Sequence, residues 1–475
     1  MCNFSIIAAI TPPPLIIFPN SIFRLFVIKY NTRYNSFTLT GAGSLASEFY
    51  RPDIYKLIKE TLSKMPAVKP FQAILPRADL ASSIAALPYD VYSRDEAKNV
   101  VTKNPLSFLQ IDRSETFFPD DYDMYSQEVY DKARDRLQEM IADGSFIKNH
   151  KNCYYIYALT MDERTQTGLV GCVSIDDYLE ERVKKHEKIR DEKKIDRTCH
   201  IDTCNAQTGP IFMAYRPHIE LDEIIAEEKM KKPLYDFVAE DGVGHQVWEI
   251  LDEKIMSKID QLFLEINSFY IADGHHRAAS AVDIGLKRRK QNPNYTGEEP
   301  FNFFLSVLFP SDELYIYDYN RVVRDLYGHD PEEIMSLLED KFEIGRPQTL
   351  PYRPKEKGEF GMYLEGNWYP LTIKPEFVPE DILGSLDASL LQRFVLEPIL
   401  AIKNVKTDKR IRYVGGIRGL ERLKELANRT KGIAFALYPP TMDELFQVAD
   451  EERLMPPKST WFEPKLRSGL FIHEI

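Results

Sequence analysis

The run Asp273-Gly274-His275-His276-Arg277 places a carboxylate, two imidazoles and a guanidinium within one short stretch. Arg277 can fork onto phosphate oxygens. The imidazoles can donate hydrogen bonds or shuttle protons near neutral pH. Asp273 can cap a helix, hold a cation or take a hydroxyl proton. Phe269, Tyr270 and Ile271 ahead of the run have the pattern of a buried strand end. Ala278, Ala279, Ala281 and Val282 behind it start a helical pattern that continues to about Arg289. Gly274 permits the sharp turn between them, and the helix start turns free N–H groups and a favourable dipole toward an anion. The plain alternative is a capped helix start with two surface histidines. Paired histidines followed by arginine suit a phosphate-handling or acid–base site better than a purely structural loop.

Three further groups of residues carry possible chemistry. The segment from Met455 to Gly469 holds Lys458, Ser459 and Lys465 on a proline-stiffened run, which suits a phosphate or carboxylate clamp. A final structural strand with solvated lysines is its alternative. A charged helix is expected over 176–194, and there His186, Arg190, Lys193 and Arg197 fall at three- and four-residue spacings. Glu187 lies beside His186, and a solvated, salt-bridged face is the competing assignment. Arg321, at a strand end, can meet the same anion or form an ordinary salt bridge. Asp90, in the turn Pro88-Tyr89-Asp90-Val91, is a candidate for binding an amine. Cys199-His200-x-Asp202-x-Cys204 lacks the paired spacing of common zinc sites, so no zinc or other bound metal centre is expected from these residues.

The elements that must position these groups alternate along the chain. Ser93 caps a short helix, with Glu96 in the capping-box position. A strand is expected over 107–111 and an amphipathic helix over 126–141, ended by Gly144. Strands follow at 154–159, 169–175 and 211–215, then a helix over 250–266 leading into the strand–turn–helix. Strands at 301–309 and 314–317 come next. Beyond Gly328 the pattern is a helix from Pro331 to Phe342, a hairpin turning at Glu365-Gly366-Asn367, and a helix from Ala388 to Leu400. Tyr413-Val414-Gly415-Gly416 then enters a helix, but without the glycine spacing of a dinucleotide fingerprint.

The 475 residues are 44% hydrophobic and 28% charged, a globular composition with enough chain to bury a large core. The net charge of −12 is offset by no long basic block, so nucleic acid is not expected as a partner. Five cysteines fit a reducing cytoplasm. The apolar run Ile6–Phe18 is interrupted by prolines and too short to span a bilayer. Residues 1–64 are expected to be a poorly folded extension ahead of a more natural start at Met65, or a start-site artefact of the gene. Residues 65–327 are expected to form an N-terminal lobe and 328–475 a C-terminal α/β lobe.

Several motifs together resemble DUF1015, a domain-of-unknown-function family whose members are often labelled SpoOJ/ParA/ParB/RepB family proteins. They are Y-I-A-D-G-H-H-R at 270–277, K-K-H-E at 184–187, T-G-P-I-F at 208–212, Y-N-R-V-V at 319–323 and the segment 455–470. Lys188 stands where that pattern usually has threonine, and residues 1–64 have no counterpart in it. The D-G-H-H-R turn also resembles the phosphate-binding motif of free serine kinases of the ParB/sulfiredoxin-like superfamily. That likeness implies phosphate or substrate contacts at Asp273, His275, His276 and Arg277, and implies a nucleotide; Mg²⁺ held by Glu187 or Asp273 with water is expected on chemical grounds. The kinases' catalytic glutamate has no matched position, and Glu187 is the candidate on chemical grounds alone.

The expected fold is α/β or α+β, with mixed sheets, flanking helices and two closely joined lobes around a ParB- or serine-kinase-like core. The expected function is a cytoplasmic small-molecule enzyme acting on a phosphorylated metabolite, by phosphoryl transfer or hydrolysis at serine or phosphoserine. Glu187, Asp273, His275 and His276 are its catalytic candidates. Asp90, His186, Arg197, Arg277, Arg321, Lys458, Ser459 and Lys465 are its substrate contacts. The alternatives are a ParB-like nucleotide-dependent DNA- or partner-binding protein and a non-catalytic metabolite sensor. Oligomeric state is not legible.

Overall fold

The computed structural model describes residues 68–475 throughout. Ahead of them it describes four short strands, Ile7–Ala8, Ile16–Ile17, Val27–Asn31 and Ser36–Thr40, paired as two antiparallel ladders. The expectation for residues 1–64 otherwise falls outside the described residues.

A mixed sheet dominates, with strands in the order 183–184, 269–273, 211–215, 303–310, 164–174, 154–161, 244–250 and 235–238; the short 68–69 strand also pairs with 164–174. Its strands are long apolar runs because both faces are covered. Tyr155, Tyr157, Val170, Phe212, Tyr270, Ala272 and Phe309 pack into one core. Their alternating neighbours Tyr154, Ile156, Leu169, Met213, Phe269, Ile271 and Leu308 pack into another, with Ala278, Ala281 and Val282 of the helix His275–Gln291. Each fully buried Phe, Ile or Leu in such a layer contributes about 1.5–3 kcal/mol.

A six-stranded antiparallel sheet forms a second body of structure, in the order 342–344, 367–373, 359–364, 433–437, 319–323 and 411–415. The C-terminal segment then returns to the earlier strands. Trp461–Phe462 pairs with Ile316–Tyr317, and Ile472–Glu474 inserts between Ala73–Pro76 and Ala206–Gln207. The fold is therefore α/β with several mixed and antiparallel sheets. No helix among the described residues is long and apolar enough to cross a membrane.

Local capping signals translate directly into structure. Ser93 and Glu96 form the capping box of the helix Arg94–Lys103. The 126–141 pattern becomes the helix Gln127–Ala142. Other expectations are corrected. The apolar run at 107–111 is the short helix Leu109–Asp112, started by Ser107, whose hydroxyl accepts from the Leu109 N–H. Burial on all sides hid its period. The helix expected over 250–266 is Glu253–Phe263, capped by Asp252 and preceded by the strand Gly244–Ile250. The helix expected from Ala388 to Leu400 is the α-helix Asp387–Leu391 followed by a π-helical turn, Gln392–Leu396.

The most consequential correction concerns 176–194. Instead of one charged helix, Ile175–Leu179 forms a short helix, Glu181 takes a left-handed conformation (φ 59°), and Val183–Lys184 joins the edge of the large sheet. The chain stays non-helical to Arg190, and a helix runs from Asp191 to Cys204. Burying Val183 completely in a parallel pairing with Phe269 outweighs the helix propensity of its charged neighbours. His186 and Glu187 consequently lie on an extended segment and share no helical face with Arg197.

Candidate functional site

The strand Phe269–Asp273 ends in a turn at Gly274 (φ 97°) and passes directly into the helix at His275. The Asp273 carboxylate accepts from the Gly274 N–H at 2.9 Å. Its other oxygen pairs with Lys465 at 3.2 Å and lies 3.8 Å from Arg277. Loss of water works against ionisation here, but Lys465, Arg277 and the nearby His275 prevail and hold the carboxyl well below the usual carboxylate range. Asp273 thus ties the turn to the C-terminal segment.

Arg277 turns back under the loop. It donates to the Pro210 carbonyl, and its guanidinium carbon and nitrogens would lie 3.1–3.2 Å from a Cβ built on Gly274. Gly274→Ala should therefore destabilise the protein by about 1–2 kcal/mol from the left-handed backbone alone, with further loss where Arg277 must yield. The midpoint of urea unfolding measures this.

Both histidines of the turn act as acceptors for the extended segment carrying Glu187. His275 Nε2 faces the His186 N–H at 3.5 Å, and His276 Nε2 accepts from the Arg190 N–H at 3.0 Å. Burial first, and then neighbouring cations and imidazoles, lower both pKa values, so the neutral acceptor forms are favoured. His186 is fastened a second time: its carbonyl accepts from the Met455 N–H at 2.8 Å, and its Nε2 lies 3.2 Å from the Thr460 hydroxyl. The His186 and His275 rings meet edge to face with centroids 4.6 Å apart. Burial brings His186 down to about 4.

This fastening leaves Glu187 facing open space, with Oε2 4.0 Å from His275 Nδ1 and the side chain 37% exposed. Burial raises its pKa, Lys458 opposes the rise and Asp273 adds to it. Lys458 stands opposite in a left-handed conformation (φ 59°). Desolvation would lower its pKa, but Tyr319, Glu187, Asp273 and Asp90 outweigh it and keep the ammonium charged.

Two cavities meet at these groups. One, of about 560 Å³, is lined by Asp90, Glu187, Asp273, Tyr319, Arg412, Arg418, Arg422, Lys458, Trp461 and Lys465, among others. The other, of about 440 Å³, is lined by Tyr89, Asp90, Arg94, Arg113, Glu187, Arg190, Lys193, Arg197, His276 and Lys458, among others. Asp90, Glu187 and Lys458 belong to both walls. Of the residues singled out from sequence, Asp273 and Lys465 join them in the larger cavity, and His276 and Arg197 in the smaller. Arg197 lies 4.0 Å over the Tyr89 ring and pairs with Asp196 at 3.0 Å.

Five others stand elsewhere. His186, His275 and Arg277 brace the loop behind the cavities, and Ser459 is buried with its hydroxyl on the Pro456 carbonyl at 2.7 Å. Arg321 is buried on the far side of the 456–459 segment, with the Pro457 carbonyl 3.4 Å away. Arg412, Arg418 and Arg422 escaped the sequence analysis although they flank the Gly415-Gly416 junction. That junction is built for close approach: a Cβ on Gly415 would meet the Trp461 indole at 2.8 Å. Three arginines around a glycine turn were the available signal. Cys199, His200, Asp202 and Cys204 lie on one helix, where His200 bonds the Ile111 carbonyl at 3.1 Å. Among the described residues no three His, Cys, Asp or Glu side chains converge on a metal position.

Solved structures with a related outline include free serine kinase in complex with AMP, 14% identical, covering 61% of this chain and 86% of that one at a TM-score of 0.29. A conserved hypothetical protein from Pyrococcus furiosus is 13% identical over 62% of this chain and 92% of its own, with a TM-score of 0.31. SbnI from Staphylococcus aureus, truncated at its C-terminus, is 10% identical over 62% and 82%, with a TM-score of 0.33. At this degree of likeness nothing about ligands or chemistry passes to this chain. No curated protein matches it. Residues 68–389 match the family model described as a protein of unknown function, DUF1015, and the chain belongs to that family.

Proposed function

We propose that this protein is a small-molecule enzyme that moves a phosphoryl group between two ligands, with serine or phosphoserine as one of them. The observation that carries this is the meeting of two cavities at Asp90, Glu187 and Lys458. Phosphoryl transfer needs two bound partners in line and neutralisation of the charge between them, and little covalent participation by the protein.

The larger cavity, with three arginines beside Trp461 and Tyr319, suits a nucleotide. The smaller suits the amino acid, with Asp90 taking its ammonium group and Arg197 or Lys193 its carboxylate. In the forward direction the serine oxygen attacks the terminal phosphorus. The bond from that phosphorus to the bridging oxygen of the nucleotide breaks, and Glu187 takes the hydroxyl proton. Lys458 stands at the junction as the cation closest to both partners and stabilises the phosphoryl oxygens. His186, His275 and His276 are positioning residues that hold the Glu187 segment. Lys465 and Asp273 hold the C-terminal segment against the turn.

Mg²⁺ is usually held by one or two carboxylates together with substrate phosphates. Asp90, at the junction, fits that donor set, and the ion would supply further neutralisation of phosphate charge. The four described cysteines are free, in keeping with the cytoplasmic setting proposed for the enzyme.

Incubating the purified chain with phosphoserine, with and without ADP and Mg²⁺, should release serine and form ATP only when the nucleotide is present; free phosphate in its absence would mark hydrolysis. Ligand binding without turnover would instead mark a metabolite sensor. Salt-sensitive retention on DNA would support the ParB-like nucleotide switch implied by the family's labels.

A further inference from the structure

Arg321 is 3% exposed in the strand Tyr319–Val323, and no described carboxylate pairs with its guanidinium. It donates instead to the Tyr319 carbonyl and, at 3.4 Å, to the Pro457 carbonyl, and lies 4.9 Å over the Tyr413 ring. A buried cation supplied with carbonyls and an aromatic face but no counter-charge is costly to keep. It lines a third cavity, of about 410 Å³, that has no wall residue in common with the nucleotide-sized cavity except Tyr413.

A second, independent observation comes from the opposite wall. Gln392 opens the π-helical turn Gln392–Leu396, and such single turns recur at ligand sites. Its amide nitrogen donates to the Ile402 carbonyl at 2.9 Å, while its buried Oε1 has no hydrogen-bond partner. Leu383, Leu396, Val405 and Pro456 supply the apolar part of the lining, and the charged part besides Arg321 is Arg393, Glu397 and the ion pair of Arg453 with Asp381 at 2.9 Å.

We propose that this cavity is a second binding site, for a small organic anion whose carboxylate or phosphate rests on Arg321. Its apolar body fills the space against Leu383, Leu396 and Val405, and a hydroxyl or N–H donates to Gln392. A bound molecule would press on Pro456 and Pro457, immediately ahead of Lys458, so its occupancy would bear on the junction of the two main cavities. The site stands independently of any phosphoryl transfer there.

Isothermal titration of the full chain with 4-hydroxybenzoate and with phenyl phosphate tests this, with uncharged 4-hydroxybenzamide as the control. At least one anion should bind with one-to-one stoichiometry, and the amide should bind about tenfold or more weakly, given what a charge-assisted hydrogen bond contributes. The two anions distinguish a carboxylate site from a phosphate site. Arg321→Met should weaken the anion by a similar factor, and Ala388→Phe, which fills the cavity from its wall, should abolish binding. Glu187→Gln should leave it unchanged. The proposal is overturned if neither anion binds, if Arg321→Met and Ala388→Phe both bind as well as the native chain, or if Glu187→Gln loses binding along with them.

Discussion

Glu187→Gln should lower kcat for phosphoryl transfer by about 10²–10⁴-fold, the usual contribution of a positioned general base. Affinity for ADP and phosphoserine should change by no more than about threefold, because glutamine keeps the shape of the side chain and removes only its capacity to take a proton. The direction of the Glu187 pKa gives a second readout. Burial raises it, so the carboxylate form needed to accept the hydroxyl proton is lost at a higher pH than for an ordinary glutamate. The native rate should fall as pH drops through that raised value, and the residual rate of the variant should lack this limb. A variant that keeps full kcat, or one that loses affinity in proportion to rate, would remove Glu187 from the proton-transfer role.

Acidification should also destabilise the protein above the usual range of carboxylate titration. Burial lowers His186 and His473 to about 4 and His245 to about 3, and also lowers His200, His275 and His276. The unfolded chain binds these protons from about pH 6.5 downward, while the folded chain refuses them. Stability is therefore fully present above pH 6.5, falls as pH decreases, and has lost the whole contribution once the folded values are passed. At pH 5 each of the three histidines with a stated value costs about 2 kcal/mol. Six carboxyls work the other way: burial lifts Asp387 to about 7 and Asp260 to about 6, and also raises Glu187, Asp222, Glu313 and Glu463, so they add stability as they protonate. Among the groups with stated values, three histidines at about 2 kcal/mol each outweigh the roughly 4 kcal/mol that Asp387 and Asp260 return at pH 5. Urea midpoints should fall by an amount worth about 2 kcal/mol between pH 7 and pH 5; a flat profile would contradict the burial of these rings. Protonated His275 and His276 can no longer accept from the His186 and Arg190 N–H groups, so the Glu187 segment should be the first part released.

What was legible in the sequence was what local chemistry decides. The turn at Gly274 and the capping box at Ser93 depend on neighbouring residues, and the corresponding elements formed where expected. The segment 180–190 was misjudged because a distant strand decides its course. Val183 and Lys184 pair with Phe269 and Tyr270, and nothing in the composition of the segment announces that partner. The candidate site shows the same division. Asp273, Lys465, Glu187 and Lys458 were singled out by type and stand together, whereas Arg321 and Ser459 lie on the other side of the proline segment. Arg412, Arg418 and Arg422 were missed because they reach the cavity from the 411–415 edge strand and its following helix, and only tertiary structure brings that edge beside the D-G-H-H-R turn.

The central claim is that two ligands occupy adjoining cavities at the same time. The most direct test is titration of phosphoserine into protein already saturated with AMP, which lacks the β-phosphate that accepts the phosphoryl group when ADP becomes ATP. One equivalent of phosphoserine should bind to the AMP complex, and Lys458→Ala should weaken both ligands. Strict competition between the two, or a failure of either to bind, would contradict the arrangement.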